Sequence, residues 1–89
     1  MSVEFRESLQ AVLDQPIIDL SLVSGGCISE AWQVRTTEET VFVKLSTGLL
    51  PGMLSAEAQG LHELAKSEAI RVPEVIRLTE DFLVLEFIP

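Results

Sequence analysis

The chain has 89 residues, which is enough for one small domain and leaves no room for a second hydrophobic core. Its composition of 47% hydrophobic and 22% charged residues, without a repeat or a low-complexity tract, argues against disorder. The net charge of −8 would repel a nucleic-acid backbone and no basic run offsets it, so we expect no nucleic-acid partner.

The sequence lacks the features of membrane and disulfide-linked proteins. No segment approaches the ~20 consecutive apolar residues of a membrane helix, and the N-terminus lacks the order of a signal peptide. The single cysteine, Cys27, excludes an internal disulfide, and there is no Cys/His cluster of the kind that holds structural zinc. We therefore expect a cytoplasmic protein that contacts no membrane and holds no metal within this chain.

The first half of the chain predicts one helix and three strands. Residues 3–14 carry apolar side chains at helical spacing, with Ser2 as the N-cap and Pro16 as the stop. Alternating apolar and polar residues then predict a first strand. Its two faces are Ile18, Leu20 and Leu22 on one side and Asp19 and Ser21 on the other. Further strands are predicted at residues 31–36 and 40–45.

The second half predicts a helix and two strands. Residues 53–67 place an apolar stripe along one face of a helix. A strand follows at residues 75–79, and after a turn an apolar strand occupies residues 82–87. This order predicts an α+β fold: a five-stranded antiparallel sheet with an N-terminal helix and a second helix backing the sheet.

Ser24, Gly25 and Gly26 are predicted to break the first strand, and they open a glycine-rich segment between the first two strands. Gly25 and Gly26 let the backbone approach a phosphate closely, so that successive amides can point at its oxygens. The segment lacks the P-loop pattern, and it leads into a strand where a dinucleotide-binding motif leads into a helix. A plain hairpin turn explains the same residues, since Gly-Gly favours tight hairpins.

Two charged residues are predicted to lie on the same side of the sheet. Alternation in residues 41–45 puts Lys44 on the face of Phe42 and opposite three aliphatic residues. Glu57 falls within or at the edge of the apolar stripe of the second helix, where it would face the sheet. A solvent-facing lysine on the third strand is the alternative. His62, on the opposite side of the helix, is expected to be solvated.

A glycine loop, a lysine on the third strand and an inward carboxylate on the next helix form, in this order, the nucleotide-binding arrangement of protein kinases. Within that fold the sequence resembles the fructosamine kinases (ketosamine-3-kinases) of the aminoglycoside phosphotransferase-like branch. The resemblance spans about residues 20–89. It rests on Gly26-Cys27-Ile28-Ser29-Glu30 in the loop, Val41-Phe42-Val43-Lys44 in the strand, residues 53–61 with Glu57, and Ile70-Arg71-Val72-Pro73 after the helix.

The resemblance implies a site for ATP. Lys44 would contact the phosphates and Glu57 would form an ion pair with Lys44. Glu86, Phe87 and Ile88 would form the hinge, with backbone groups of Glu86 and Ile88 facing adenine. The loop residues whose amides would cover the phosphates are Gly25, Gly26, Cys27, Ile28 and Ser29. The implied apolar contacts are Leu85 behind the base and Val23, Ala31 and Phe42 above it.

The resemblance also implies an activity. The family transfers the γ-phosphoryl group of ATP, with Mg²⁺, to a sugar hydroxyl of ketoamines such as fructosamines and ribulosamines, including those on glycated lysine. The family's catalytic and metal-binding aspartates lie downstream of the hinge, and Asp14, Asp19 and Asp81 stand in no such motif. Residues 1–89 are therefore expected to be a nucleotide-binding N-terminal lobe that is truncated at the hinge and lacks the catalytic lobe. Such a lobe is expected to bind ATP only when the missing lobe is supplied, and to phosphorylate nothing alone.

Two other functions remain open at this stage. An aminoglycoside, choline or another aminoalcohol is a second class of acceptor, since the acceptor residues would belong to the missing lobe. A non-catalytic module that binds a partner is a different class: the last strand, from Phe82 toward Pro89, would expose an apolar edge and self-associate. Cys27 is either a reactive loop thiol that forms an intermolecular disulfide, as the resemblance suggests, or a small reduced residue in a turn.

Overall fold

The computed structural model describes residues 2–25, 29–46, 52–67 and 71–88. The five strands form one sheet in which every neighbouring pair is antiparallel. This confirms the predicted α+β class and the predicted order of helices and strands. In chain order the elements are α1 (Val3–Leu13), β1 (Ile17–Gly25), β2 (Ser29–Thr36), β3 (Thr40–Ser46), α2 (Met53–Ala65), β4 (Val75–Leu78) and β5 (Phe82–Glu86).

Polar side chains fix both ends of α1. The hydroxyl of Ser2 accepts a hydrogen bond from the N–H of Phe5 at 3.2 Å, as an N-cap does. At the other end, Ile17 at the start of β1 donates its N–H to Gln10 Oε1 at 3.1 Å. Its carbonyl accepts from Arg6 Nη2 at 3.3 Å. These contacts hold α1 against the first strand.

The sheet carries a helix on each face, because alternate residues of its central strands point to opposite sides. Leu9 of α1 packs into the larger core, and Leu54 and Ala58 of α2 pack into the smaller one. The larger core consists of Leu9, Ile17, Val34, Val41, Val43, Leu45, Phe82 and Val84. The smaller core consists of Leu54, Ala58, Leu83 and Leu85. In the part of the chain that the structure describes, neither helix is long and apolar enough to cross a membrane.

The last strand lies inside the sheet, not at its edge. The strand order is β1-β2-β3-β5-β4, and the four residues from Phe82 to Leu85 are at most 3% exposed. The prediction of an exposed apolar edge beginning at Phe82 is therefore wrong for β5. The strand is an apolar run because it is paired on both sides and covered on both faces, and such a run does not reveal which strands flank it. The strands at the edges are β1 and β4.

β1 differs from its prediction in two ways. It continues to Gly25, so that Ser24 and Gly25 extend the strand instead of breaking it. Ile17 is 7% exposed and belongs to the core, whereas Ile18 is 52% exposed. A register irregularity between Ile17 and Asp19 shifts the alternation by one residue, and two adjacent isoleucines conceal this shift in the sequence.

Candidate functional site

Lys44 lies in the middle of β3, on the face of the sheet that carries α2. Its neighbours Val43 and Leu45 are 0% and 1% exposed in the core on the opposite face. Phe42 packs against the smaller core beneath α2. The predicted division of β3 into an aliphatic face and a face with an aromatic ring and an ammonium group is confirmed. Burial of the aliphatic neighbours fixes the side to which Lys44 points.

Glu57 reaches Lys44 from α2. Nζ of Lys44 donates to Oε1 of Glu57, and the two side chains form an ion pair. Leu54 and Ala58, each 3% exposed, hold α2 against the sheet, and Glu57 lies at the edge of this buried face of the helix. The paired side chains remain 30% and 35% exposed. Solvent screens an ion pair this exposed to about 1 kcal/mol or less, so its main effect is to position the ammonium group.

A pocket of about 470 Å³ lies beside the ion pair. This volume is in the range of small-molecule sites, and most of the lining is apolar with a few polar groups, as in such sites generally. The lining residues are Val23, Gln33, Phe42, Lys44, Glu57, Leu61, Pro73, Leu85, Glu86, Phe87 and Ile88.

The strand registers order the sheet side of the pocket. Phe42 pairs with Gln33 on β2 and with Leu85 on β5, so these three residues form one row across the sheet. Lys44 lies two residues further along the same face, which corresponds to about 7 Å. A flat apolar group over the first row would therefore place an attached anion within reach of the ammonium group.

The segment after β5 forms another wall of the pocket. Glu86, Phe87 and Ile88, the three predicted hinge residues, all line it. The N–H of Glu86 donates to the carbonyl oxygen of Glu74 at 2.8 Å, so this donor is already used within the protein. The backbone contact predicted between Glu86 and a ligand would therefore have to be made by the carbonyl group of Glu86.

The glycine loop is described only at its two ends. Gly25 ends β1 and Ser29 begins β2. Gly26, Cys27 and Ile28 lie outside the described residues. The phosphate contacts expected of these residues, and both interpretations of Cys27, stay predictions.

The apolar residues implied around a base are mostly present in the pocket. Val23, Phe42 and Leu85 line it. Ala31 does not line it: this residue is 7% exposed and pairs with Lys44 in the β2–β3 ladder.

Three residues that line the pocket are not among the site residues predicted from the sequence. Gln33 follows Ala31 by two positions on β2, so alternation alone would have placed it on the same face. Leu61 lies one helical turn after Glu57, and helical spacing would have placed it there. Pro73 belongs to the segment between α2 and β4, which has no periodicity from which its position follows.

The remaining polar residues of α2 are on its outer side. His62 is exposed, which confirms the solvated position expected for it. Among the described residues, no three His, Cys, Asp or Glu side chains come together in a way that could hold a metal ion.

Comparison with known proteins shows which family has this arrangement. The family model described as fructosamine kinase matches residues 1–89. The chain belongs to the fructosamine kinase family. The resemblance drawn from the motifs around Lys44 and Glu57 is therefore confirmed.

Two relatives within the fructosamine kinase family illustrate the match. A probable ketoamine kinase of Synechocystis is 39% identical over 70 residues, which cover 74% of this chain and 24% of the relative. A chloroplastic protein-ribulosamine 3-kinase of Arabidopsis thaliana is 32% identical over 77 residues, covering 81% of this chain and 24% of the relative. The chain thus spans about a quarter of the length of these relatives.

A solved structure has the same fold. The crystal structure of a protein from Thermobifida fusca, provisionally assigned as a fructosamine-3-kinase, superposes with a TM-score of 0.76 at 23% sequence identity. The superposition covers 99% of this chain and 31% of that protein. The α+β arrangement described above is therefore one that occurs within a larger chain.

Proposed function

We propose that this chain is the ATP-binding lobe of a ketoamine kinase. The reaction is transfer of the γ-phosphoryl group of ATP to a sugar hydroxyl of a fructosamine or ribulosamine, either as a small molecule or on a glycated lysine. The names of the family and of its relatives support the substrate class. The observation that carries the proposal is the Lys44–Glu57 ion pair at the side of an apolar pocket of nucleotide size.

In this proposal each part of the nucleotide has its own place in the pocket. The adenine base lies over the row formed by Phe42 and Leu85, and the triphosphate extends along β3 toward Lys44. The ammonium group neutralises phosphate charge, and Glu57 keeps this group pointed into the pocket. Backbone amides of the glycine loop from Gly25 to Ser29 complete the phosphate contacts.

Residues 1–89 bind and orient ATP in this proposal, whereas the transfer itself needs further groups that hold Mg²⁺ and the acceptor. Mg²⁺, when bound with ATP, neutralises the charge that develops on the phosphoryl oxygens. Its carboxylate ligands and the base that accepts the proton of the acceptor hydroxyl belong to the part of the relatives that this chain does not match. The sequence predicts ATP binding only together with the second lobe, but residues of this chain form the pocket by themselves. We therefore expect the chain of 89 residues to bind ATP and to phosphorylate no ketoamine by itself.

Calorimetric titration of the chain with ATP tests the proposal. Lys44→Ala removes the group that contacts the phosphates, so the dissociation constant for ATP should rise about tenfold or more, a loss of ~1.4 kcal/mol. Glu57→Gln keeps the lysine but removes the charge that orients it, and we expect a smaller rise of about threefold.

Two variants on the outer side of α2 serve as matched controls. Lys66 and Glu63 form an ion pair at 3.2 Å and are 73% and 62% exposed. Lys66→Ala and Glu63→Gln therefore change the net charge as the test variants do, without touching the pocket. If Lys44→Ala and Lys66→Ala bind ATP equally well, the assigned role of Lys44 is wrong.

A further inference from the structure

Glu86 connects the end of β5 to the segment between α2 and β4. Its Oε2 accepts a hydrogen bond from Arg71 Nη2 at 3.0 Å, and its Oε1 accepts from the N–H of Glu74 at 3.3 Å. Its own N–H donates to the carbonyl oxygen of Glu74 at 2.8 Å. We call this set of three contacts the Glu86 bridge. The bridge uses both carboxylate oxygens and the backbone N–H of one residue.

The Glu86 bridge joins two walls of the pocket. Pro73 lies between Arg71 and Glu74, so the bridge holds the segment that carries this lining residue on both sides. On the opposite wall, Phe87 and Ile88 follow Glu86 directly and line the pocket as well. The bridge therefore sets the separation between Pro73 and the segment after β5.

The ion pair within the bridge contributes little to the stability of the fold. The side chains of Arg71 and Glu86 are 70% and 38% exposed, and solvent screens the attraction between them. The smaller core beneath α2 holds the fold together on this side of the sheet, and Val75 packs against it. Loss of the ion pair should therefore change the local arrangement of the two segments that it joins, without disrupting that core.

We propose that Arg71, acting through Glu86, is a positioning residue for the base of the bound nucleotide. This inference rests on the proposed function and adds a residue that does not touch the ligand itself. The Glu86 bridge lies beside the row of Phe42 and Leu85, where the base is placed, and the phosphates extend away from it toward Lys44. Loss of the bridge therefore weakens the contacts of the base and leaves those of the phosphates unchanged.

Titration with both ATP and adenosine separates these two effects. In Arg71→Ala the dissociation constants for ATP and for adenosine should rise by the same factor, about three- to fivefold. Glu86→Gln, which keeps an oxygen to accept from the N–H of Glu74, should give a similar rise for both. Arg71→Lys retains a cation and should recover most of the affinity. Lys44→Ala should weaken ATP and leave adenosine unchanged.

Arg77→Ala is the matched control. Arg77 lies on β4, is exposed, and makes no side-chain hydrogen bond or ion pair with any residue that the structure describes. Its replacement removes the same charge near the same edge of the sheet and should leave both affinities unchanged. Because adenosine is neutral, a change in the overall field of the protein would affect ATP alone.

The possible results separate this inference from the proposed function. Unchanged affinities in Arg71→Ala, or a loss for ATP without a loss for adenosine, would overturn the inference alone. Absence of ATP binding by the unsubstituted chain at millimolar concentrations would overturn both. Equal losses for ATP and adenosine in Arg71→Ala, with neither in Arg77→Ala, are the result that we expect.

Discussion

At the scale of single residues, the site depends on one cation that is held by one carboxylate. Lys44 is fixed on its strand by the buried residues on either side, and Glu57 is fixed on its helix by Leu54 and Ala58. The ion pair therefore joins two elements whose positions are set by hydrophobic packing. Local patterns were enough to predict the faces of both residues, because strand and helix periodicity determine which side chains point inward.

A different residue, Thr36, stabilises the fold far from the pocket. This residue is only 4% exposed. Its hydroxyl accepts hydrogen bonds from the N–H groups of Glu38 and Glu39 at 3.2 and 3.0 Å. The same hydroxyl donates to Gln15 Oε1. It thus joins the segment before β1 to the turn between β2 and β3.

Thr36→Val should lower the free energy of unfolding by about 1–3 kcal/mol, because two N–H groups and one amide oxygen lose a buried partner. Urea denaturation measures this change. Thr37→Val is the control, since the side chain of Thr37 is exposed, and it should cost less than about 0.5 kcal/mol. ATP affinity should be unchanged in both variants. Equal stability of the two variants would show that the Thr36 hydroxyl does not have this role.

At the scale of secondary structure, local periodicity predicts each helix and strand but does not predict which strands lie next to each other in the sheet. The bounds of α1 and β3 differ from the prediction by one residue, since capping and alternation are local properties. The position of β5 between β3 and β4 depends on a connection through α2, and no property of the strand itself encodes it. The glycine pair was likewise predicted to break β1, whereas hydrogen bonding across the ladder extends the strand to Gly25.

The start of β1 offers a test of the register. Ile17→Ala removes a buried side chain from the larger core and should lower the free energy of unfolding by about 2–4 kcal/mol. Ile18→Ala removes the same atoms from a side chain that is 52% exposed and should cost less than about 1 kcal/mol. Denaturant unfolding of the two variants under one set of conditions decides the matter. The reverse order of costs would support the register that alternation alone predicts.

Pocket residues fall into those that periodicity places and those that it does not. Phe42, Lys44 and Leu85 follow from strand alternation and from the resemblance to a kinase hinge. Pro73 follows from neither, since the Glu86 bridge and the pairing of β4 with β5 hold its irregular segment beside the pocket. Contacts made by side chains across loops depend on tertiary geometry and stay hidden in a single sequence.

At the scale of the whole molecule, the proposed site for an anion lies in a chain that carries a net charge of −8. The two facts are compatible because charges at the surface are screened beyond about 8–10 Å at physiological salt. Within that distance nearby groups dominate the local field, and the ammonium group of Lys44 lines the pocket. Net charge therefore argues against an extended polyanion as partner, without excluding one nucleotide.

The molecule also accounts for only part of its family's length. It spans about a quarter of the relatives that it matches and about a third of the solved structure that shares its fold. In the proposal a pocket formed by this chain binds the nucleotide, whereas transfer needs a second set of groups to hold the acceptor. This division explains why binding, and not phosphorylation, is the property to measure on residues 1–89.

The most direct test is a two-dimensional ¹H–¹⁵N NMR titration of the chain with ATP, because it reports the position of the ligand residue by residue. We expect saturable shifts at Val23, Phe42, Lys44 and Glu57 and at residues 85–88, with α1 unaffected. Adenosine should shift the signals of residues 85–88 and leave that of Lys44 nearly unchanged. Shifts confined to α1 or to the outer side of α2, or no shifts at millimolar ATP, would contradict the assignment of this pocket as the nucleotide site.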